Sequence, residues 1–308
     1  MTFAALAAAL MLAGPVSTPV TLDSQPAPLH GALLTPEGAT HAAAVIIAGS
    51  GPTDQDGNSP LGVRGNMLKA LAEGLADQGV ATLRYDKRGI AASAAAAVSE
   101  AELTFGHMVD DARAWAAEAA TRTGQPCVWL IGHSEGALVA QLAAADNPQV
   151  CGLVLLSPVG QKASDQIRAQ LDAALPEAMK PAALAALDDL AAGRTTANVP
   201  GLEALFRPSV QPYLISYISQ DPIALIAAYD GPVLLGHGTT DLQVPADNSE
   251  RLAAAQPRAK LVLFDGANHL LRAAPMDRAG NMATYGDANA VLDAGVVPAV
   301  AGFILAPR

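Results

Sequence analysis

Short apolar runs punctuate this chain, and each breaks into glycine, serine or acidic residues before a stretch of helix formers. Residues 43–48, 128–131, 153–156, 233–235 and 261–264 are such runs. Unbroken hydrophobicity over a few residues, bounded by turn formers, predicts strands buried on both faces. The stretch 137–145, Ala-Leu-Val-Ala-Gln-Leu-Ala-Ala-Ala, reads as helix. Strands alternating with helices predict an α/β fold built on a mostly parallel sheet. Between the runs at 153–156 and 233–235, residues 157–231 are dominated by helix formers and are far longer than a connection needs. Segments 167–175, 181–192 and 212–218 there have amphipathic spacing. The pattern predicts one main domain carrying a helical insertion.

The run at 128–131 leads directly into Gly132-His133-Ser134-Glu135-Gly136. A strand-to-helix turn this tight lifts a serine hydroxyl off the sheet on a strained backbone, so its close neighbours must be small, as Gly132 and Gly136 are. The helix that follows points its N-terminus at the serine, where unpaired N–H groups favour developing negative charge. The pentapeptide alone occurs by chance in unrelated loops, so its partners decide its meaning. A serine hydroxyl needs a histidine to take its proton and a carboxylate to orient that histidine. After the run at 233–235 comes Gly238-Thr239-Thr240-Asp241-Leu242-Gln243-Val244-Pro245, and after 261–264 comes Asp265-Gly266-Ala267-Asn268-His269. Parallel sheets gather their functional groups at the C-terminal strand ends. Ser134, Asp241 and His269 are therefore the candidate nucleophile, acid and base, with Asp265 the runner-up acid.

On these motifs the chain resembles the α/β-hydrolase superfamily, in which a Gly-x-x-Asp-x-x-Val-Pro segment supplies the acid and a Gly-x-x-His segment the base. Asp86-Lys87-Arg88-Gly89 is similar to the Asp-x-Arg-Gly turn of that family, although Ala91-Ala92-Ser93 stands where Gly-x-Ser is usual. That departure predicts a stiffer or differently turned loop. The string Gly49-Ser50-Gly51-Pro52-Thr53-Asp54-Gln55-Asp56-Gly57-Asn58 resembles bacterial carboxylesterases close to the serine aminopeptidase-like hydrolases. The resemblance covers about residues 28–305. It implies an eight-stranded sheet in a core of 21–156 and 232–308, with 157–231 as a lid over the site. It also implies an oxyanion hole made by the main-chain N–H groups of Ser50 and Glu135. The expected activity is carboxylic ester hydrolysis, on short- to medium-chain acyl groups, without metal or cofactor. Amide or peptide hydrolysis by the same triad is the alternative, and a non-catalytic binding protein a distant one.

Other readings are weighed beside these. Gly51, His133, Phe206, Tyr213 and Tyr217 are candidate substrate contacts; the last three offer bulk in a chain with only 4% aromatic residues. They could equally pin the insertion to the body. His133 lies inside the turn and cannot face the hydroxyl as a base, so packing or access is its expected role. His237 is expected to pack at a strand end, or to line the site. His30, His41 and His107 have no partner pattern. Asp54, Asp56 and Asn58 alternate like calcium ligands but lack a distal glutamate, and such residues in a Gly/Pro-rich loop make turns.

Composition bounds the partners. A net charge of −11, with 18 basic against 29 acidic residues and no basic run, argues against nucleic acid and anionic membranes. A small-molecule ester is the expected partner, and nothing in the sequence speaks to oligomeric state. Residues 1–20 form a signal-like or tail segment whose apolar run, 3–14, is too short to span a bilayer. No Lys or Arg precedes Arg64, so the segment is an atypical signal, a mis-set start or a packing tail; export to the periplasm is favoured over the cytoplasm. Cys127 and Cys151 start neighbouring strands and could face each other, but buried thiols are the default expectation.

Overall fold

Parallel strands buried on both faces are the backbone of the molecule, and the computed structural model describes residues 14–307. Among these residues the chain forms β1 (Val16–Leu22), β2 (Leu29–Thr35), β3 (Ala42–Ile47), α1 (Met67–Asp77), β4 (Val80–Tyr85), α2 (Phe105–Thr123), β5 (Val128–His133), α3 (Glu135–Ala144) and β6 (Val150–Leu156). The insertion then supplies α4 (Ala163–Ala174), α5 (Lys180–Ala191), α6 (Glu203–Phe206), α7 (Gln211–Ile218) and α8 (Pro222–Ala228). The core resumes with β7 (Val233–Gly238), α9 (Asp247–Ala255), β8 (Lys260–Phe264), α10 (Arg278–Ala283) and α11 (Val296–Ile304). The eight strands make one sheet in the order β1-β2-β4-β3-β5-β6-β7-β8. β1 and β2 are antiparallel at one edge, and every pair from β4 through β8 is parallel.

Side-chain alternation along the strands divides the core. On one face Ala43, Val45, Leu130, Leu153 and Leu235 pack with Trp115 of α2, α3, Ile226 of α8 and Leu252 of α9. On the other, Ala44, Ile46, Trp129, Ile131, Val154 and Leu234 pack against α1 and α11. Period-two alternation sends successive residues to opposite faces, so a strand covered on both sides must be apolar throughout. The insertion has a core of its own, in which Leu171, Leu187, Leu190, Leu214 and Ile218 surround Phe206.

Two expectations change here. Val16–Leu22, the end of the segment read as signal or tail, is a strand paired residue by residue with β2, so the sheet begins before residue 21. The remainder of that segment, 1–13, lies outside the described residues. Cys127 and Cys151 are joined by a disulfide and are not free thiols. The β5–β6 register pairs Val128 with Val150 but Trp129 with Gly152, so Cys151 is the extra residue of a bulge. A bulge re-aims its side chain. The two Cα atoms are 5.2 Å apart, within the span a disulfide bridges.

Candidate active site

The nucleophile turn is built as its glycines demand. A Cβ on Gly132 would collide with the carbonyl of Gly136, and one on Gly136 would collide with the carbonyls of Ile47 and, at 2.6 Å, Ala48. Helix α3 therefore sits closer to β3 and β5 than any side chain would allow. Between them Ser134 adopts φ 54° and ψ −122°, a left-sided backbone that L-residues avoid. Its own N–H is held 2.9 Å from the Leu156 carbonyl at the end of β6.

His269 follows β8 on a loop that is fixed from inside. The Asn268 side-chain oxygen accepts from the N–H groups of Leu270 and Arg272, while its amide donates to Thr284 Oγ1 at 2.7 Å. The His269 carbonyl accepts twice, from His133 Nε2 at 2.8 Å and from Ser157 Oγ at 3.2 Å. Its Nδ1 lies 2.7 Å from Asp241 Oδ2. A carboxylate only accepts, so Nδ1 carries the proton and Nε2 is left as the basic nitrogen.

Asp241 is saturated with donors. Oδ1 accepts from the N–H groups of Gln243 and Val244, both at 2.8 Å, and Oδ2 also stands 3.3 Å from His237 Nε2. Burial alone would raise its pKa, but the hydrogen bonds from His237 and His269 outweigh it and hold the carboxyl well below the usual carboxylate range. His237 is fully buried; its Nε2 also donates to the Val244 carbonyl at 2.8 Å and its Nδ1 accepts from Ser249 Oγ at 2.6 Å. The expected packing at the strand end thus includes a direct hold on the acid. Asp265 is exposed and bonds Thr239 Oγ1 at 3.2 Å, turned away from His269.

Two cavities meet at Ser134. A small one of about 90 Å³ is lined by Gly49, Ser50, His133, Ser134, His269, Leu270 and Tyr285. A larger one of about 230 Å³ lies under the insertion, lined by Ser50, Ser134, Glu135, Ile167, Gln166, Gln170 and Tyr217. Ser50 and Glu135 thus border the nucleophile, and neither main-chain N–H has a protein acceptor among the described residues. Gly49 approaches so closely that a Cβ there would meet Ser134 Cβ at 3.2 Å.

The other candidate contacts separate. Tyr217 lines the larger cavity and His133 the smaller. Phe206 is buried in the core of the insertion and lines neither cavity at Ser134. Tyr213 packs on Phe105 and does not line either cavity. Gly51 turns at φ 72° and faces Lys87 with its carbonyl. Asp54 closes its own loop by accepting from the N–H groups of Asp56 and Asn58, while Asp56 pairs with Arg84. Asp86 accepts from Gln55 N–H at 2.7 Å and Ala92 N–H at 3.1 Å, which holds Ala91 at φ 44°, a backbone that glycine would adopt without strain. Sequence reasoning missed Ser157 and Tyr285. Ser157 stands in no motif, and Tyr285 reaches the site from a short turn remote from every strand end.

The sheet order is that of the α/β-hydrolase fold. Within that class, residues 62–204 match the family described as serine aminopeptidase, S33. No curated protein matches the chain. Among solved structures, the chain is similar to Est1E from Butyrivibrio proteoclasticus with ferulic acid bound (21% identity, TM-score 0.59, 86% of this chain and 94% of that one). It is also similar to an esterase domain from Rhodothermus marinus (19%, 0.52, 89% and 99%) and to TT1662 from Thermus thermophilus (19%, 0.54, 95% and 99%). At such identities the likeness is one of fold.

Proposed function

We propose that the protein is a serine carboxylesterase acting on short- to medium-chain acyl esters. The observation that carries this reading is the 2.7 Å bond from His269 Nδ1 to Asp241 beside a strained Ser134 that shares a cavity with His269. Ser134 Oγ attacks the ester carbonyl as His269 Nε2 takes its proton, and the N–H groups of Ser50 and Glu135 receive the oxyanion. His269 then returns the proton to the leaving alcohol, and water repeats the sequence to free the acid. Since the proton comes from His269, the alcohol belongs in the smaller cavity and the acyl chain in the larger one under the insertion. The insertion acts as a lid in this reading.

The matched family's description raises amide hydrolysis from a free N-terminus as the second reading. An aminopeptidase needs an unpaired carboxylate to receive the substrate ammonium. Glu135, the carboxylate that lines the larger cavity, is buried, which pushes its pKa up, and it already answers the Lys87 charge. That favours the ester. The test is labelling with a fluorophosphonate, located by mass spectrometry, beside rates on p-nitrophenyl esters and aminoacyl anilides. Labelling at Ser134 with esters turned over at least a hundredfold faster than anilides is expected; a folded sample that takes no label would sink the proposal.

A further inference from the structure

Lys87 is a cation that the proposed chemistry leaves without a task. It lies half-buried in the turn after β4, and desolvation pulls its pKa down although the nearby Glu135 carboxylate acts the other way. Its ammonium donates to the carbonyl of Gly49 and, at 2.7 Å, to the carbonyl of Gly51. These are the residues on either side of Ser50.

The geometry of the peptide unit gives those bonds a consequence. In a trans peptide the carbonyl of one residue and the N–H of the next point in opposite directions. Among the described residues the only cis bond is Gln25–Pro26, so the Gly49–Ser50 peptide is trans. An ammonium that pins the Gly49 carbonyl on one side of the loop therefore turns the Ser50 N–H to the other. Gly51 sits at φ 72°, a backbone that favours glycine, and the second bond gives its carbonyl a charged anchor. Thr53 completes the loop, with its N–H on the Gly51 carbonyl at 2.9 Å and its hydroxyl on the Ser50 carbonyl at 3.0 Å.

We propose that Lys87 is a positioning residue that presets the Ser50 N–H as an oxyanion donor by clamping the carbonyls of Gly49 and Gly51. Glu135, the residue after the nucleophile, places a carboxylate in the surroundings of the Lys87 ammonium. A preorganised donor acts only on the charge that develops in the transition state, so a loosened one lowers kcat and spares substrate binding.

The inference rests on the esterase reading, and its test separates the two. Lys87→Met keeps the length and packing of the side chain and removes the donor; Lys87→Gln, too short to reach both carbonyls, is the second variant. Each is measured for kcat and KM on a p-nitrophenyl ester, for thermal transition, and for amide hydrogen exchange over the loop 49–53. The expected result is a kcat lower by about ten- to a hundredfold with KM within about threefold, together with faster loop exchange in a folded protein. A folded variant with kcat within twofold of the parent, or one whose loss falls on KM, overturns the clamp. A parent protein inert on every ester defeats the esterase reading, and loop exchange unchanged by Lys87→Met then defeats the clamp on its own.

Discussion

The imidazole of His133 is buried between the nucleophile and the base, 4.9 Å from the ring of His269, and its Nε2 proton is committed to the His269 carbonyl. Burial first, and then the neighbouring His269, push its pKa down from 6.5 to about 3. The sign follows from linkage: the unfolded chain takes up this proton below pH 6.5, whereas the folded one refuses it until about pH 3. The contribution to stability is whole above pH 6.5 and is lost progressively as pH falls toward 3. The loss amounts to about 1.4 kcal/mol per pH unit at most. Urea unfolding across that window should show His133→Gln with a shallower pH dependence than the parent, by up to one proton; equal slopes would remove this account. At this scale the sequence was most informative where chemistry dictates residue type. Ser134, Asp241 and His269 stand in short motifs at strand ends, so they could be read in order. Ser157 holds the base through a contact 112 residues away in sequence, and no local pattern encodes such a pair.

Strand β5 carries the site at one end and the Cys127–Cys151 disulfide at the other. Unbroken apolar runs made the central strands legible, but the cysteine pairing depended on a bulge. Whether Cys151 faces Cys127 is decided by one residue of register, and periodicity cannot report an insertion of one. With 24 residues separating the cysteines, loop-closure entropy assigns the bond about 3.5 kcal/mol of stability. The double variant Cys127→Ser/Cys151→Ser should therefore melt at a clearly lower temperature than the parent. Esterase turnover at 25 °C should stay within about twofold, since the link lies at the strand end opposite Ser134. An unchanged melting temperature under non-reducing conditions would show that the link adds nothing. Strand β1 was illegible for a different reason: its first four residues are exposed and Val20 is its one buried residue, too little for a pattern to reveal.

Core and insertion meet through a small set of ties. Glu100, between β4 and α2, pairs with Arg207 and accepts from Ser209, and Phe105 at the start of α2 donates its N–H to Ser216 Oγ at 2.8 Å. Its ring packs on Tyr213 and Tyr217 at 6.0 and 5.1 Å between centroids. The sequence predicted both the length of the insertion and the bulk of these tyrosines, but not their division of labour. That division needs the relative placement of two bodies with separate hydrophobic cores, which no local spacing fixes. With the insertion anchored in this way, α4 presents Gln166, Ile167 and Gln170 to the larger cavity opposite Ser134. Ile167 is the aliphatic member of that trio, so under the proposed esterase chemistry its size limits the acyl chain while the glutamines leave the wall polar. Truncating an aliphatic wall frees room for the carbons removed, and a methylene in such a cavity is worth about 1–3 kcal/mol of discrimination. Ile167→Ala should move the optimum of a p-nitrophenyl acyl series toward longer chains and raise the kcat/KM ratio of octanoate over acetate by about tenfold. An unshifted optimum in a folded, active variant would place the acyl chain in the smaller cavity beside His269, and would reverse the assignment of the two cavities.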